Sequence, residues 1–180
     1  MGTSRRGSAA ADSAGQGVDR RPSVDVLRAL VRTADDRVAS VLRGTLALVI
    51  FPHGAQKLLA WFGGTGYNDA MAHLTGQYGL PGLVAFLVIV IEFFGPLALA
   101  LGLLSRIAAA GIGMVMIGAA LTTHLPHGFF MNWFGDQAGE GFEYHLLAVG
   151  LAIAVIAHGS GALSVDRALM RELSARSVAR

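Results

Sequence analysis

Four long apolar stretches dominate the chain after residue 40, and short polar or glycine-rich segments separate them. They cover about residues 40–62, 81–104, 107–125 and 143–158. A helix needs roughly 20 apolar residues, each with a rise of about 1.5 Å, to cross the hydrocarbon layer of a bilayer. The first three stretches have this length. The fourth is slightly short, so we expect its helix to begin at the headgroups near residue 143 and to continue to about residue 162.

Both ends of the chain are polar. Residues 1–36 are rich in Gly, Ser, Ala and Arg, which predicts a disordered tail with a short interfacial helix near residues 23–36. In residues 164–180, apolar side chains alternate with Arg at helical spacing, which predicts an amphipathic tail. The pattern as a whole predicts an all-α integral membrane four-helix bundle over residues 37–163, with spans at 40–62, 81–104, 107–125 and 143–162.

The composition excludes an ordinary soluble domain. Of the 180 residues, 53% are hydrophobic and only 14% are charged, whereas a soluble domain carries about 25% charged residues. The chain contains no cysteine, which excludes a disulfide framework, an iron–sulfur cluster bound by thiolates and a dithiol redox step. If the chain takes part in redox chemistry, another molecule must therefore carry the electrons.

The basic residues are placed as in a membrane protein with two cytoplasmic termini. Lys and Arg number 14, and 13 of them lie in the N-terminal region up to Arg43, at Arg106 or in the C-terminal tail. Residues 63–80 and 126–142 contain none. Because Lys and Arg are enriched in cytoplasmic loops, we expect these two segments to face outward. The net charge of +2 then reflects membrane topology, and no nucleic-acid partner is expected.

Ionisable residues within the spans are the first candidate functional groups. Glu92 lies near the middle of the second stretch, where a charged side chain costs roughly 2.5–3.5 kcal/mol. His53 and Lys57 lie four residues apart on one face of the first span, and Trp61 follows one turn later. Two other interpretations stay open. Lys57 can simply extend to the membrane surface, and Glu92 can be protonated and hydrogen-bonded to a neighbouring helix.

The antiparallel topology brings further polar groups to the same outer half of the bundle. His124 ends the third span, and Glu143 and His145 begin the fourth. His145 shares a face with small residues and is expected to point into the bundle, although histidines at span ends also lie among headgroups. Together with His53, these residues are suitable metal ligands by type. No short ligand spacing supports a metal site, and we predict none.

Several sequence blocks resemble those of the DoxX family of small bacterial membrane proteins. The blocks are His53-Gly54-Ala55-Gln56-Lys57-Leu58 with Trp61-Phe62-Gly63-Gly64, Glu92-Phe93-Phe94-Gly95-Pro96 with Gly102-Leu103-Leu104-Ser105-Arg106, Asn132-Trp133 with Gly141-Phe142-Glu143-Tyr144, and Gly159 through Ser164-Val165-Asp166. The resemblance covers about residues 40–168 and implies a four-helix protein of the bacterial inner membrane. It also implies a link to quinone-dependent oxidoreduction or to membrane complexes that handle oxidative or thiol stress.

The leading hypothesis is a quinone-interacting or proton-relaying subunit of a membrane oxidoreductase complex. Lys57 or His53 would hydrogen-bond a quinone oxygen, and Glu92 would relay a proton. Trp61, His124 and His145 are the other residues expected to contact the quinone. The alternatives are a non-catalytic membrane scaffold for a soluble redox or stress-defence partner, and a small-solute transporter. Expected partners are the lipid bilayer and either another protein or a second copy of the chain.

Overall fold

The regular secondary structure of this protein is helical wherever the structure describes it. The computed structural model describes residues 22–33 and 35–178, and the prediction of an all-α protein is confirmed for these ranges. Their α-helices are α1 (Pro22–Val31), α2 (Arg37–Leu59), α3 (Tyr67–Gly76), α4 (Gly82–Leu101), α5 (Ser105–Ala119), α6 (Glu143–His158) and α7 (Val165–Val178). A π-helical segment, Ala120–His124, and a 3-10 turn, Leu125–His127, continue from α5. The predicted disorder of residues 1–21 lies outside the described residues.

Three helical stretches of the described chain are long and apolar enough to cross a membrane. They are α2, α4 and Ser105–His127, with 23, 20 and 23 residues. Helix α6 is also apolar but has only 16 residues, which is about 24 Å of helix. The expectation that this helix continues to about residue 162 is wrong. It ends at His158, because Gly159 has a φ of 81° and turns the chain out of the helix.

The four apolar helices share one core. Helix α2 packs against α4 and α6, and α5 packs against the same two helices. Helices α5 and α6 are in close contact, and a Cβ added at Gly113 would lie only 3.4 Å from the Ala152 side chain. Small residues spaced four apart therefore serve helix contact in this pair. Core side chains come from all four helices and include Leu46, Ile50, Leu99, Ile112, Met116 and Val155.

A buried arginine organises one end of the molecule. We call this the basic end; it is where α2 begins and α4 ends, and where α1 and α7 pack against each other. Arg43 is only 5% exposed. Its guanidinium donates to the carbonyls of Ser160 at 2.7 Å and Ala100 at 2.8 Å. It also donates to the carbonyls of Leu99 and Leu163. Arg43 therefore caps α4 and is not the surface charge that its position in the sequence suggested.

Asp166 caps the start of α5, as Arg43 caps the end of α4. Its carboxylate accepts hydrogen bonds from the backbone N–H groups of Leu104 at 2.8 Å and Ser105 at 3.2 Å, and from the Ser160 hydroxyl. The residue is 1% exposed. A carboxylate at a helix N-terminus satisfies N–H groups that have no partner within the helix, and the helix dipole favours its charge. The chain after α6 is thereby fixed to the turn between α4 and α5.

Helix α1 lies where the sequence pattern predicts a short interfacial helix, near residues 23–36, but it packs against other helices of the protein. Val31 is fully buried. Arg28 donates to the carbonyl of Leu173 in α7 at 3.3 Å, and Asp35 forms an ion pair with Arg167 of α7. The predicted helix is present, but its packing was not predicted, because the few apolar residues of this segment cannot form a core alone and only contact with α5 and α7 buries them.

Replacement of Arg43 by Met is expected to destabilise the protein by about 3 kcal/mol or more, because several buried carbonyls lose their donor at once. Arg43→Lys should also destabilise, since one ammonium cannot replace a planar guanidinium that bonds several carbonyls. Arg37→Ala is the matched control, because Arg37 is exposed at the start of the same helix. Its effect should stay within about 0.5 kcal/mol. Unfolding in detergent followed by circular dichroism would measure these changes, and equal losses at both positions would contradict the assignment.

Candidate functional site

Lys57 and Glu92 form an ion pair between α2 and α4. Lys57 Nζ donates to Glu92 Oε2 at 2.5 Å, and the two side chains are 30% and 6% exposed. Glu92 is the eleventh of the 20 residues of α4, so it lies about 15 Å along the helix. An ionised carboxylate at this depth is costly unless it is paired. The structure therefore favours a paired Glu92 over the alternative in which Lys57 only extends to the surface.

Gly54 allows the two helices to meet at this pair. A Cβ at position 54 would overlap the backbone of Glu92 and Phe93. Helix α2 therefore contacts α4 backbone to backbone, directly beside the carboxylate. Lys57 lies three residues further along α2, on the same side of the helix, so its long side chain reaches Glu92.

A cavity of about 750 Å³ lies beside the ion pair. Helices α2, α3, α4 and α5 and the π-helical segment line it. Lys57, Glu92 and His124 contribute polar groups, and Asp69 and His73 of α3 contribute others. A volume of this size accommodates a small organic ligand. The walls from α4 and α5 are mainly apolar and include Val84, Leu87, Val88, Ile91, Met114 and Val115.

The π-helical segment at the end of α5 supplies further polar groups. Thr122, Thr123 and His124 all line the cavity. The Thr122 hydroxyl donates to the carbonyl of Gly118 at 2.8 Å, which satisfies it locally. A π-helical turn shifts the side chains that follow it around the helix axis, and such turns are frequent at functional sites. Here the turn coincides with the part of the helix that lines the cavity.

His124 and His145 lie side by side, with ring centroids 4.1 Å apart. His145 is 6% exposed, so it lies inside the molecule as its helical face predicted. Its Nδ1 atom is buried and has no hydrogen-bond partner within the described chain, and the same holds for the hydroxyl of Tyr144. Buried polar atoms of this kind are usually satisfied by water or by a ligand. This region therefore has hydrogen-bonding capacity that the protein itself does not use.

Three of the predicted site residues do not line the cavity, namely His53, Trp61 and His145. His53 lies on an exposed part of α2, with its ring centroid 6.0 Å from that of Tyr144. Trp61 is 54% exposed and packs edge to face against Phe62. The position expected for Trp61, one helical turn beyond Lys57, is wrong because α2 ends at Leu59 and the chain turns away.

The candidate metal ligands do not converge. Within residues 22–33 and 35–178, no group of three or more His, Asp or Glu side chains is arranged to hold a metal ion. His124 and His145 are adjacent, but the carboxylate of Glu143 accepts a hydrogen bond from the Trp133 indole at 3.3 Å. The paired histidines are therefore better described as part of a polar cluster beside the cavity.

Comparison with known proteins finds a family match for the segment that contains the ion pair. Residues 38–125 match the DoxX family model. Residues 38–125 are therefore similar to a DoxX domain. A similar protein is "Putative oxidoreductase CatD" of Bacillus subtilis (strain 168), which is 28% identical over 126 residues, 70% of this chain and 82% of the relative. No solved structure gives a significant match to the chain.

The DoxX match includes Lys57, Glu92 and His124 but ends before α6. The part of the polar cluster contributed by Tyr144 and His145 therefore lies outside the matched segment. All residues that line the cavity lie within the matched segment, whereas the buried polar groups of α6 lie outside it.

Helix α3, which lies within the segment that matches the DoxX model, contributes cavity residues that the sequence pattern did not reveal. Asp69 and His73 line the cavity, and His73 Nε2 lies 3.3 Å from the Tyr78 hydroxyl. The apolar pattern by itself predicts no helix between the first two spans. A signal was present, because Ala70 and Leu74 are four residues apart and pack in a small core against α4. Apolar residues at this spacing, beside polar ones, are typical of a short amphipathic helix.

Two glycines of α2 provide a test of the contact that positions the ion pair. Gly54→Ala is expected to destabilise the protein by about 2 kcal/mol, because the added methyl group would force α2 away from α4. A Cβ at Gly44 meets nothing within 4 Å, so Gly44→Ala should be neutral or stabilise by up to about 1 kcal/mol. Thermal unfolding of both variants would measure the difference. If the two substitutions had equal effects, the close contact at Gly54 would be refuted.

Proposed function

We propose that this DoxX protein is a four-span subunit of a membrane oxidoreductase, in which the cavity binds a quinone ring and the ion pair handles its protons. One observation carries the proposal: the Lys57–Glu92 pair forms part of the wall of a mainly apolar cavity of about 750 Å³. A quinone requires this combination, with apolar walls against its ring and a few polar groups for its oxygens.

The arrangement of charges supports a cytoplasmic location for the basic end, and so for both termini. Arginines are concentrated there, whereas residues 63–80 and 126–142 contain no Lys or Arg. At the opposite end, Phe130, Trp133 and Phe134 are 68%, 76% and 92% exposed, as expected of aromatic residues among headgroups. Helix α6 would be the fourth span, and local thinning of the bilayer can accommodate its short length.

Lys57 is the group best placed to contact a ring oxygen. Its ammonium has three donors, and Glu92 uses one of them. A cation held beside the oxygen stabilises negative charge that develops during reduction. When bound, a quinone supplies the capacity to accept two electrons and two protons. Because the chain has no cysteine, a separate reduced donor would deliver the electrons.

Glu92 is the group best placed to hold and release a proton. It interacts electrostatically with Tyr144, whose hydroxyl is buried without a protein partner. The Tyr144 ring lies 5.2 Å from that of His145, which in turn adjoins His124. The Tyr144 hydroxyl and His145 Nδ1 can each bind a water molecule, and through such water the polar groups of α6 would connect Glu92 to the outer end of the molecule. The oxidoreductase name of the Bacillus subtilis relative agrees with a redox role.

The two members of the ion pair should have different roles, with Lys57 needed for quinone binding and Glu92 for proton uptake. In nanodiscs titrated with ubiquinone and menaquinone analogues, Lys57→Met is expected to weaken binding by about tenfold or more, because the ring oxygen loses its cationic donor. Glu92→Gln should retain a similar shape and much of the affinity, but it should abolish proton uptake coupled to quinone reduction. Isothermal titration and a pH indicator would measure the two quantities.

The double variant Lys57→Met with Glu92→Leu is the matched control for stability. Each single apolar substitution leaves one charge unpaired, whereas the double substitution replaces the pair by apolar side chains and should restore much of the stability. We therefore expect a folded protein that does not bind quinone. Absence of quinone binding by the wild type, or equal binding by Glu92→Leu, Lys57→Met and the wild type, would refute the proposed function.

A scaffold function is the second candidate, and the packing of α1 against α7 favours it. These two helices form a folded surface at the basic end, outside the apolar core, and Arg37 and Arg171 are exposed there. Such a surface can hold an acidic partner at the membrane.

Charge reversal separates the scaffold from the quinone-binding function. A protein with Arg37→Glu and Arg171→Glu should lose a partner that co-purifies with the wild type, because both substitutions repel an acidic surface. Its quinone affinity should be unchanged, since neither residue lines the cavity. Retention of the partner by the variant would exclude this surface as the attachment site.

A further inference from the structure

The cavity has features that fit a ligand with a long chain attached to its ring. Resting on the proposed function, we infer that it opens sideways between α4 and α5 into the hydrocarbon layer, and that the apolar space there is a subsite for the chain attached to the ring. The substrate class is then an amphiphile with a weakly polar ring and a long isoprenoid or alkyl chain. Such a ligand would enter from the lipid and not from the aqueous side.

The cavity wall is continuous with the outer surface at this position. Leu87 of α4 and Met114 of α5 line the cavity and yet are 44% and 66% exposed. Gly118, one turn beyond Met114, also lines the cavity, and a Cβ added there would meet nothing within 4 Å. Side chains that line a cavity and face the surroundings mark its mouth. This mouth is bordered by apolar groups and one glycine.

The mouth lies at the height along α4 and α5 that corresponds to the hydrocarbon layer. Glu92 is near the middle of α4, and Met114 is the tenth of the 15 residues of α5. Since α4 and α5 run in opposite directions from a shared turn, Glu92 and Met114 both lie about 14 Å from that turn along their helices. Gly118 lies about 6 Å further toward the outer end. An opening at this height faces acyl chains if α4 and α5 span the bilayer.

The depth of the ion pair discriminates between two amphiphiles. A phospholipid that filled the cavity would have to bring a charged headgroup to the middle of the hydrocarbon layer to reach Glu92, which is strongly unfavourable. A ring with neutral carbonyl groups carries no such cost and can meet Lys57 there. We therefore assign the space to a ring-bearing, chain-bearing ligand rather than to a membrane phospholipid.

The chain has to pass through the mouth because the cavity is too small to contain it. A volume of about 750 Å³ suits a drug-sized ligand, and a ring with many isoprene units exceeds that size. Moving the chain from lipid into an apolar groove adds little affinity, since both surroundings are apolar. Chain contacts should therefore govern access, and a bulky residue in the mouth should exclude long-chain ligands selectively.

Gly118→Trp provides the test, and Gly150→Trp is its control. Gly150 lies in α6, does not line the cavity and also has open space at its Cβ position. The probes are a long-chain ubiquinone and the same benzoquinone ring without a chain, titrated into protein in nanodiscs. We expect Gly118→Trp to weaken binding of the long-chain quinone at least about tenfold more than binding of the bare ring. Gly150→Trp should change neither affinity.

Leu87→Trp closes the mouth from the α4 side and should show the same selectivity, so the inference does not rest on the folding of one variant. Unfolding temperatures of all variants would accompany the titrations. Equal weakening of both probes, or no weakening of either, would overturn the lateral subsite while leaving the quinone site in place. If the wild type bound neither probe, the proposed function would fail, and the inference would fail with it.

Discussion

The structure depends on the need to pair a carboxylate that lies halfway along an apolar helix. Glu92 is almost completely buried, and Lys57 of α2 supplies its counter-charge. Because an unpaired charge at this depth is costly, the two helices must approach closely enough for one lysine side chain to bridge them. Gly54 makes that approach sterically feasible. Three residues thus set the contact between α2 and α4, and the cavity forms on the side of this contact where α3, α4 and α5 enclose space.

At the basic end, buried groups also need partners, but here the charged side chains of Arg43 and Asp166 bind backbone groups. Short turns and helix ends expose carbonyl and N–H groups that cannot remain unpaired inside a protein. Arg43 satisfies carbonyls at the end of α4 and after α6, and Asp166 satisfies N–H groups at the start of α5. Every side-chain nitrogen of Arg43 and both carboxylate oxygens of Asp166 form hydrogen bonds, and both residues lie far along the helices from the cavity. We therefore regard them as structural, in contrast to Tyr144 and His145, whose buried polar atoms lack protein partners.

The two polar regions have different roles, since one fixes the helices and the other lines the cavity. At the basic end, buried charges hold the helices in fixed register. Toward the opposite end, the same helices separate enough to leave a cavity, and its polar groups retain unused hydrogen-bonding capacity. A ligand site requires both conditions, because rigid supports position Lys57 and Glu92 while incomplete pairing leaves donors and acceptors for a substrate. Short helix α3 covers the cavity between α2 and α4 and contributes Asp69 and His73.

The sequence alone determined the helical class, the approximate positions of the apolar helices and the choice of Lys57 and Glu92 as candidate functional groups. Hydrophobic periodicity and the cost of charge in lipid are local or one-dimensional constraints, so they can be recognised without coordinates. Tertiary structure decided the rest. It excluded Trp61 from the cavity, buried Arg43, and brought α1 and α3 into the fold. Those outcomes depend on where helices end and which backbone groups then need partners, and such requirements arise only when distant segments meet.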